Sequence, residues 1–353
     1  MNRAAVLGIT PGMTIRRAAL VLGLSAATMT LLPTATATAH AAASCHGQPA
    51  TIEASSGNVQ GTPGNDVIVL SGTVKFADAG DGDDLVCITD TTKPPSLDTG
   101  AGADEVDASG AGTKVNVRLG PGPDSLVGSR YGDYVQVGTA GASLEAPGDP
   151  GPYEVTTGAG GDTLIVDVGA VVDADLGRGA DGLSFRAAEG GQPSDVDLGP
   201  GVDGAAFEDD WEDVGAGETT LRVDLDRDLM EWHGVTSTLL GAENIRGTAR
   251  RIRVRGDSGP NRFFSFGCDV VFRGGAGGDT TTMKTIGIYD TQPFDCKPGD
   301  VRRAYGNAGA DFLGGGRSHD VLIGGPGRDK AYGGPGGDDV CIAEIVAGKG
   351  CLE

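Results

Sequence analysis

The chain has 353 residues, 62 of them glycine, and a formal net charge of −22 at pH 7. Glycine at well over twice its usual share of roughly 7%, with aromatics at only 5%, excludes a large conventional globular core and suits thin rows of small apolar side chains buried coil by coil. So much carboxylate repels itself unless cations neutralise it, which argues against nucleic acid and anionic membrane surfaces as partners.

Residues 1–43 read as an export signal. Arg16 and Arg17 precede an apolar run from Ala18 to Leu32, and Ala39-His40-Ala41 supplies a small-residue cleavage pattern, with cleavage expected between Ala41 and Ser44. Met13 is an alternative start. These residues carry three arginines and no acid, so −25 remains on the rest. No other segment approaches the roughly 20 apolar residues that span a bilayer. The expectation is a secreted, extracellular, monomeric protein without a transmembrane segment.

Residues 44–207 repeat a six-residue glycine turn that ends in aspartate. GTPGND ends at Asp66, AGDGDD at Asp84, TGAGAD at Asp104 and LGPGPD at Asp124; TGAGGD ends at Asp162, LGRGAD at Asp181 and LGPGVD at Asp203. The steps are 18, 20, 20, 38, 19 and 22 residues, with 38 read as twice 19. Alternating segments such as KVNVRL and VVDADL precede the turns, as strands should. Apolar residues follow the aspartates, including Ile68, Val86, Val106, Leu126, Leu164 and Leu183, whereas Ala205, Thr281 and Ala331 are weak. The predicted unit is a coil with one calcium-type turn. Leu119, Thr157, Leu176 and Leu198 stand where the first glycine of the turn is expected.

Residues 208–272 lack the motif and hold both tryptophans, Trp211 and Trp232. They read either as continued solenoid without calcium turns or as a small inserted domain. The sequence GDSG at 256–259 resembles a protease nucleophile loop by chance, with Ser258 placed in a turn.

Residues 273–353 resume the pattern with Asp279 and then reach a strict period of nine at Asp311, Asp320, Asp329 and Asp338. A Gly-Gly-x-Gly-x-Asp repeat of nine marks a calcium-binding β-solenoid. Glycine permits the tight turn that aims carbonyl oxygens inward, and calcium takes six to eight hard oxygens. Leu313, Leu322 and Val340 are predicted to point into the core. Six cysteines in an exported chain imply three disulfides. Chain proximity favours Cys45–Cys87, Cys268–Cys296 and Cys341–Cys351.

These turns resemble those of the RTX, or haemolysin-type, calcium-binding repeat proteins, and in particular the small secreted ones of high-GC Gram-positive bacteria that lack an attached enzyme. The resemblance covers nearly everything after Cys45 and is tightest over 303–342. It implies an all-β, right-handed parallel β-roll with Ca2+ between the turns of successive coils, held by turn carbonyls and aspartates. Asp311 would pair with Asp329 on one edge and Asp320 with Asp338 on the other. The N-terminal signal departs from the family's usual C-terminal one.

Nothing in the sequence argues for catalysis. His46, His233 and His319 lie outside any metalloprotease motif, and no GxSxG elbow is present. The alternatives are a polysaccharide lyase or epimerase using Arg251, Arg253 and Arg255 on one strand face, or a cell-surface adhesion or ice-binding module, for which only Thr280–Thr282 offers a threonine row.

Overall fold

The computed structural model describes residues 43–138, 151–186, 192–208, 220–284, 299–317, 319–335, 338–347 and 351–352. Residues 1–42 of the predicted export signal, Trp211 and Cys296 lie outside them. Residues Ala42–Glu353 form one compact unit. Among the described residues every regular element is a β-strand, and no helix is long and apolar enough to cross a membrane.

Most strands pair in parallel with the strand two further along the chain. Leu85–Thr91 pairs with Glu105–Asp107, which pairs with Ser125–Val127 and then Tyr153–Thr156. Ser96–Asp98, Asn116–Leu119, Tyr134–Val137 and Thr163–Val166 form the matching series. Each coil therefore gives one short strand to each of two parallel sheets, and the chain is the expected all-β parallel solenoid. Alternation decides which side chains go in. Val172–Asp175 buries its valine and alanine and exposes its two aspartates.

The buried residues stack in register into columns. In one sheet Leu126, Val155, Ala174, Val196 and Leu239 lie side by side. In the other, Leu183, Ala205, Ile245, Phe263, Thr281, Leu313 and Ala331 do so. The weak positions Ala205, Thr281 and Ala331 thus sit beside Ile245, Phe263 and Leu313, and large neighbours fill what small ones leave. All three are buried.

The solenoid continues through 220–260 by way of a meander. Thr220–Asp224, Leu229–Trp232 and Val235–Leu240 pair antiparallel with one another. The outer two rejoin the parallel stack, Val235–Leu240 on Asp195–Asp197 and Thr220–Asp224 on Arg251–Arg255. His233 (φ 49°) and Gly234 (φ 78°) make the two-residue turn, both in the left-handed region such hairpins need. The opposite sheet passes directly from Asp203–Glu208 to Ala242–Thr248, so one sheet holds two more strands than the other here. Aromatics fill the difference: Trp232 packs on Phe207 at 5.2 Å and Phe207 on Phe185 at 6.4 Å between ring centroids.

Disulfides staple both ends of the stack, Cys45–Cys87 and Cys341–Cys351. Cys268 is disulfide-bonded, and its predicted partner, Cys296, lies outside the described residues. The last coil departs from the predicted period. Asp339, not Asp338, pairs with Asp320, because this turn holds one residue more. Asp338 is exposed with φ 66°, and Val340, predicted to face the core, is 36% exposed. Cys341 packs inward in its place.

Candidate functional site

The aspartate that closes each turn is buried, and its backbone N–H donates to the Oδ1 of the corresponding aspartate one coil later. These bonds thread the turns into four rows. The first runs Asp66, Asp84, Asp104, Asp124, at 2.8–2.9 Å. The second runs Asp133, Asp162, Asp181, Asp203 and ends on Glu243. The third runs Asn261, Asp279, Asp311, Asp329 and ends on Glu344. The fourth is Asp320 to Asp339, at 3.0 Å. Stacked turns bring backbone together so closely that some turns need the fourth glycine: Gly327 has φ 158°, and a Cβ there would overlap the Gly309 carbonyl oxygen.

Among the row members that escaped the sequence reading, two close turns of the regular length. Asp133 closes GSRYGD, with Tyr131 where the fourth glycine belongs, nine residues after Asp124. The 38-residue step is therefore not two coils of one row: the row moves from the edge that leads into one sheet to the edge that leads into the other. Asn261 closes GDSGPN, which places the protease-like GDSG in a solenoid turn with Ser258 exposed.

The rows differ in what meets the second carboxylate oxygen. Asp66 accepts there from the N–H and hydroxyl of Thr62, Asp133 from the Ser129 N–H, Asp162 from the Thr157 hydroxyl and Asp320 from the Gly316 N–H. Three of these four, Asp66, Asp133 and Asp320, begin a row; Asp162 is the second member of its own. The Oδ2 atoms of Asp84, Asp104, Asp181, Asp203, Asp279, Asp311, Asp329 and Asp339 are buried with no hydrogen-bond partner among the described residues. A buried polar atom left so costs about 1–3 kcal/mol, and eight of them in equivalent positions demand a common explanation.

Beside the C-terminal members the space is kept open by the first glycine of the turn. A Cβ on Gly306 would meet the Asp311 Oδ2 and the Gly324 carbonyl oxygen; on Gly274, the Asp279 Oδ2 and the Gly306 carbonyl. Carboxylate and carbonyl oxygens of adjacent coils thus converge on one point, a donor set for a hard cation. Upstream, buried Leu176 and Leu198 stand at the first position before Asp181 and Asp203, and no such cradle forms.

Burial pushes the carboxyls of Asp84, Asp162 and Asp279 up to about 6; the N–H donated by the preceding row member opposes the shift, and neighbouring carboxylates add to it. Asp181, Asp203, Asp311 and Asp339 are raised for the same first reason. For Asp66, burial also pushes upward, but hydrogen bonds from Thr62 and Thr51 outweigh it and hold the group below its ordinary value.

Other candidates resolve differently. Arg253 is tied to Asp269 at 2.6 Å and to the carbonyls of Asp269 and Ile252, and Arg255 reaches Asp226 at 2.8 Å, so the arginine strand is neutralised in place. His46 bridges Glu105 and Asp107, each at 2.9 Å. Cys87 beside it has metal-ligand spacing, but its sulfur is bonded to Cys45. Thr281 points into the core, so Thr280–Thr282 forms no outward threonine row. The outer face of the second sheet gathers cations and aromatics. Lys284 lies 5.2 Å from the Phe264 ring and Arg246 5.8 Å from that of Phe266. A depression of about 450 Å³ lies between Gly182, Gly204 and Ala206 on one side and Arg246, Arg262 and Phe264 on the other. No family model matches the chain, and no curated protein matches it.

Proposed function

We propose that this chain is a secreted calcium-binding solenoid of the RTX type, a non-enzymatic module whose folding is coupled to Ca2+. One observation carries the reading: the buried aspartate oxygens left without a protein donor recur in register along the rows. An array of carboxylates and backbone carbonyls without imidazole or thiolate favours calcium over transition metals. Asp279, Asp311, Asp329 and Asp339, with their glycine cradles, are the principal ligands; Asp84, Asp104, Asp181 and Asp203 are the lesser ones. Asp66, Asp162 and Asp320 have protein donors on both oxygens and stand outside the set.

The ion supplies positive charge between stacked carboxylates. The chain's own residues do the rest: the row hydrogen bonds aim each carboxylate, and the glycines hold the carbonyls toward it. Because each site exists only once coils stack, binding energy becomes folding energy. Affinities of about 10⁻⁴–10⁻³ M, typical of extracellular modules, follow from that role. Calcium titration of the purified chain, read by far-UV circular dichroism and calorimetry, tests it. A rise in sheet content and stability from a partly folded chelator state, with several bound ions, is expected. A full sheet spectrum in chelator with no heat on adding calcium would overturn it.

The cationic, aromatic outer face supports a second reading, that the solenoid holds an acidic glycan. Arg262 and Lys284 make no ion pair among the described residues, in a chain of net charge −22. Aromatic faces take the apolar side of a sugar ring, and guanidinium takes its carboxylate. Binding of a glucuronate oligosaccharide at fixed free calcium, abolished by Arg262→Glu, is expected; equal affinity in that variant would refute it.

A further inference from the structure

Arg302 stands in register with Asp320 of the next coil, at the position where the other rows carry a carboxylate or an amide. Both residues are fully enclosed, at 1% and 0% exposure. The Arg302 Nε donates to Asp320 Oδ1 at 2.9 Å and Nη2 reaches Oδ2 at 3.4 Å. In the other rows that Oδ1 takes the backbone N–H of the preceding member. Here a guanidinium takes it, while the Gly316 N–H occupies Oδ2 at 2.7 Å. Asp320 therefore has no oxygen left over, although its turn has the strict sequence spacing of a calcium repeat. The backbone crosses directly over the guanidinium: a Cβ on Gly316 would lie 3.2 Å from both Nη atoms. The charge of Arg302 also acts on Asp339 in the following coil, so one cation serves two stacked carboxylates.

We infer that Arg302 is a built-in cation that replaces calcium at the start of the Asp320–Asp339 row and closes Asp320 to metal. The inference rests on the calcium reading above and assigns one of its apparent sites to the protein itself. Its physical logic is that a buried carboxylate needs a paired positive charge, which a tethered guanidinium supplies at any calcium concentration. The fourth row is then anchored before any ion arrives, next to the third row, whose aspartates wait for one.

Counting bound calcium per chain by native mass spectrometry tests this. Asp311→Asn should bind at least one ion fewer than wild type, and Asp320→Asn the same number as wild type. Arg302→Ser should gain one ion and should require calcium to hold the strand Asp320–Ile323, read by hydrogen exchange in chelator and in calcium. If Arg302→Ser fails to fold under either condition, Asp320→Asn decides. Loss of an ion in Asp320→Asn, as in Asp311→Asn, overturns this inference and leaves the calcium reading standing. A wild-type chain that binds no calcium overturns both.

Discussion

The backbone N–H of Asp311 donates to the Oδ1 of Asp329, eighteen residues later, at 3.0 Å, while both Oδ2 atoms lie buried and unmatched. One oxygen of each aspartate builds the stack and the other is held in reserve. Fold and proposed calcium site are therefore parts of a single side chain, and disturbing either should be visible in the other.

Protons should stand in for calcium. Asp84, Asp162 and Asp279 have folded-state values near 6, above the ordinary carboxylate value, so the folded chain binds more protons than the unfolded one between about pH 4 and 6. In chelator, stability should rise as pH falls from 7 toward 5, the reverse of ordinary acid denaturation. Calcium affinity should fall over the same window. Thermal melts in chelator at pH 7, 6 and 5 check the sign; a Tm that drops steadily over that range contradicts it.

Gly306→Ala places a methyl group between the Asp311 Oδ2 and the Gly324 carbonyl. Gly306 is not in the left-handed region, so the cost comes from overlap of the methyl group with the Asp311 carboxylate and the Gly324 carbonyl, the two oxygens that would face the metal. The expected result is one ion fewer by equilibrium dialysis, together with an overpacking cost of about 1–3 kcal/mol. Equal calcium stoichiometry would remove Gly306 from the site.

Trp232→Ala should destabilise the chain by about 3–5 kcal/mol, as for other large buried aromatics. Its ring fills the space where one sheet carries two extra strands. The loss should appear equally in calcium and in chelator, since no metal-type turn depends on it. Paired denaturant titrations would show it, and a loss confined to calcium would contradict the assignment.

Cys45–Cys87 closes a 42-residue separation. Replacing both cysteines with serine should cost about 3–4 kcal/mol and fray Ile52–Gln60 first, because among the described residues that strand pairs only with Val67–Asp78. Hydrogen exchange protection lost first elsewhere would contradict this order.

The coil, its inward residues and most row members were legible because glycine and aspartate recur at nearly fixed steps. What escaped lies where the step changes or where a different residue does the same work. Asp133 was hidden by Tyr131, though its nine-residue distance from Asp124 matches the C-terminal spacing. Asp339 displaced Asp338 through one added residue in a turn, which no periodic reading registers. Glu243, Glu344 and Arg302 carry no repeat signature; their roles depend on side-chain reach across 15 to 40 residues of sequence. The meander at 220–240 has good alternation, but antiparallel pairing inside a parallel stack is a tertiary choice.

The rows have a direction, and residues outside the repeat finish several of their ends. Thr62, Ser129 and Arg302 satisfy the carboxylate that begins a row, while Glu243 and Glu344 receive the N–H that would otherwise be left over. Coils can be gained or lost between a starter and a terminator without rewriting either, which makes length the most freely adjustable property of this architecture.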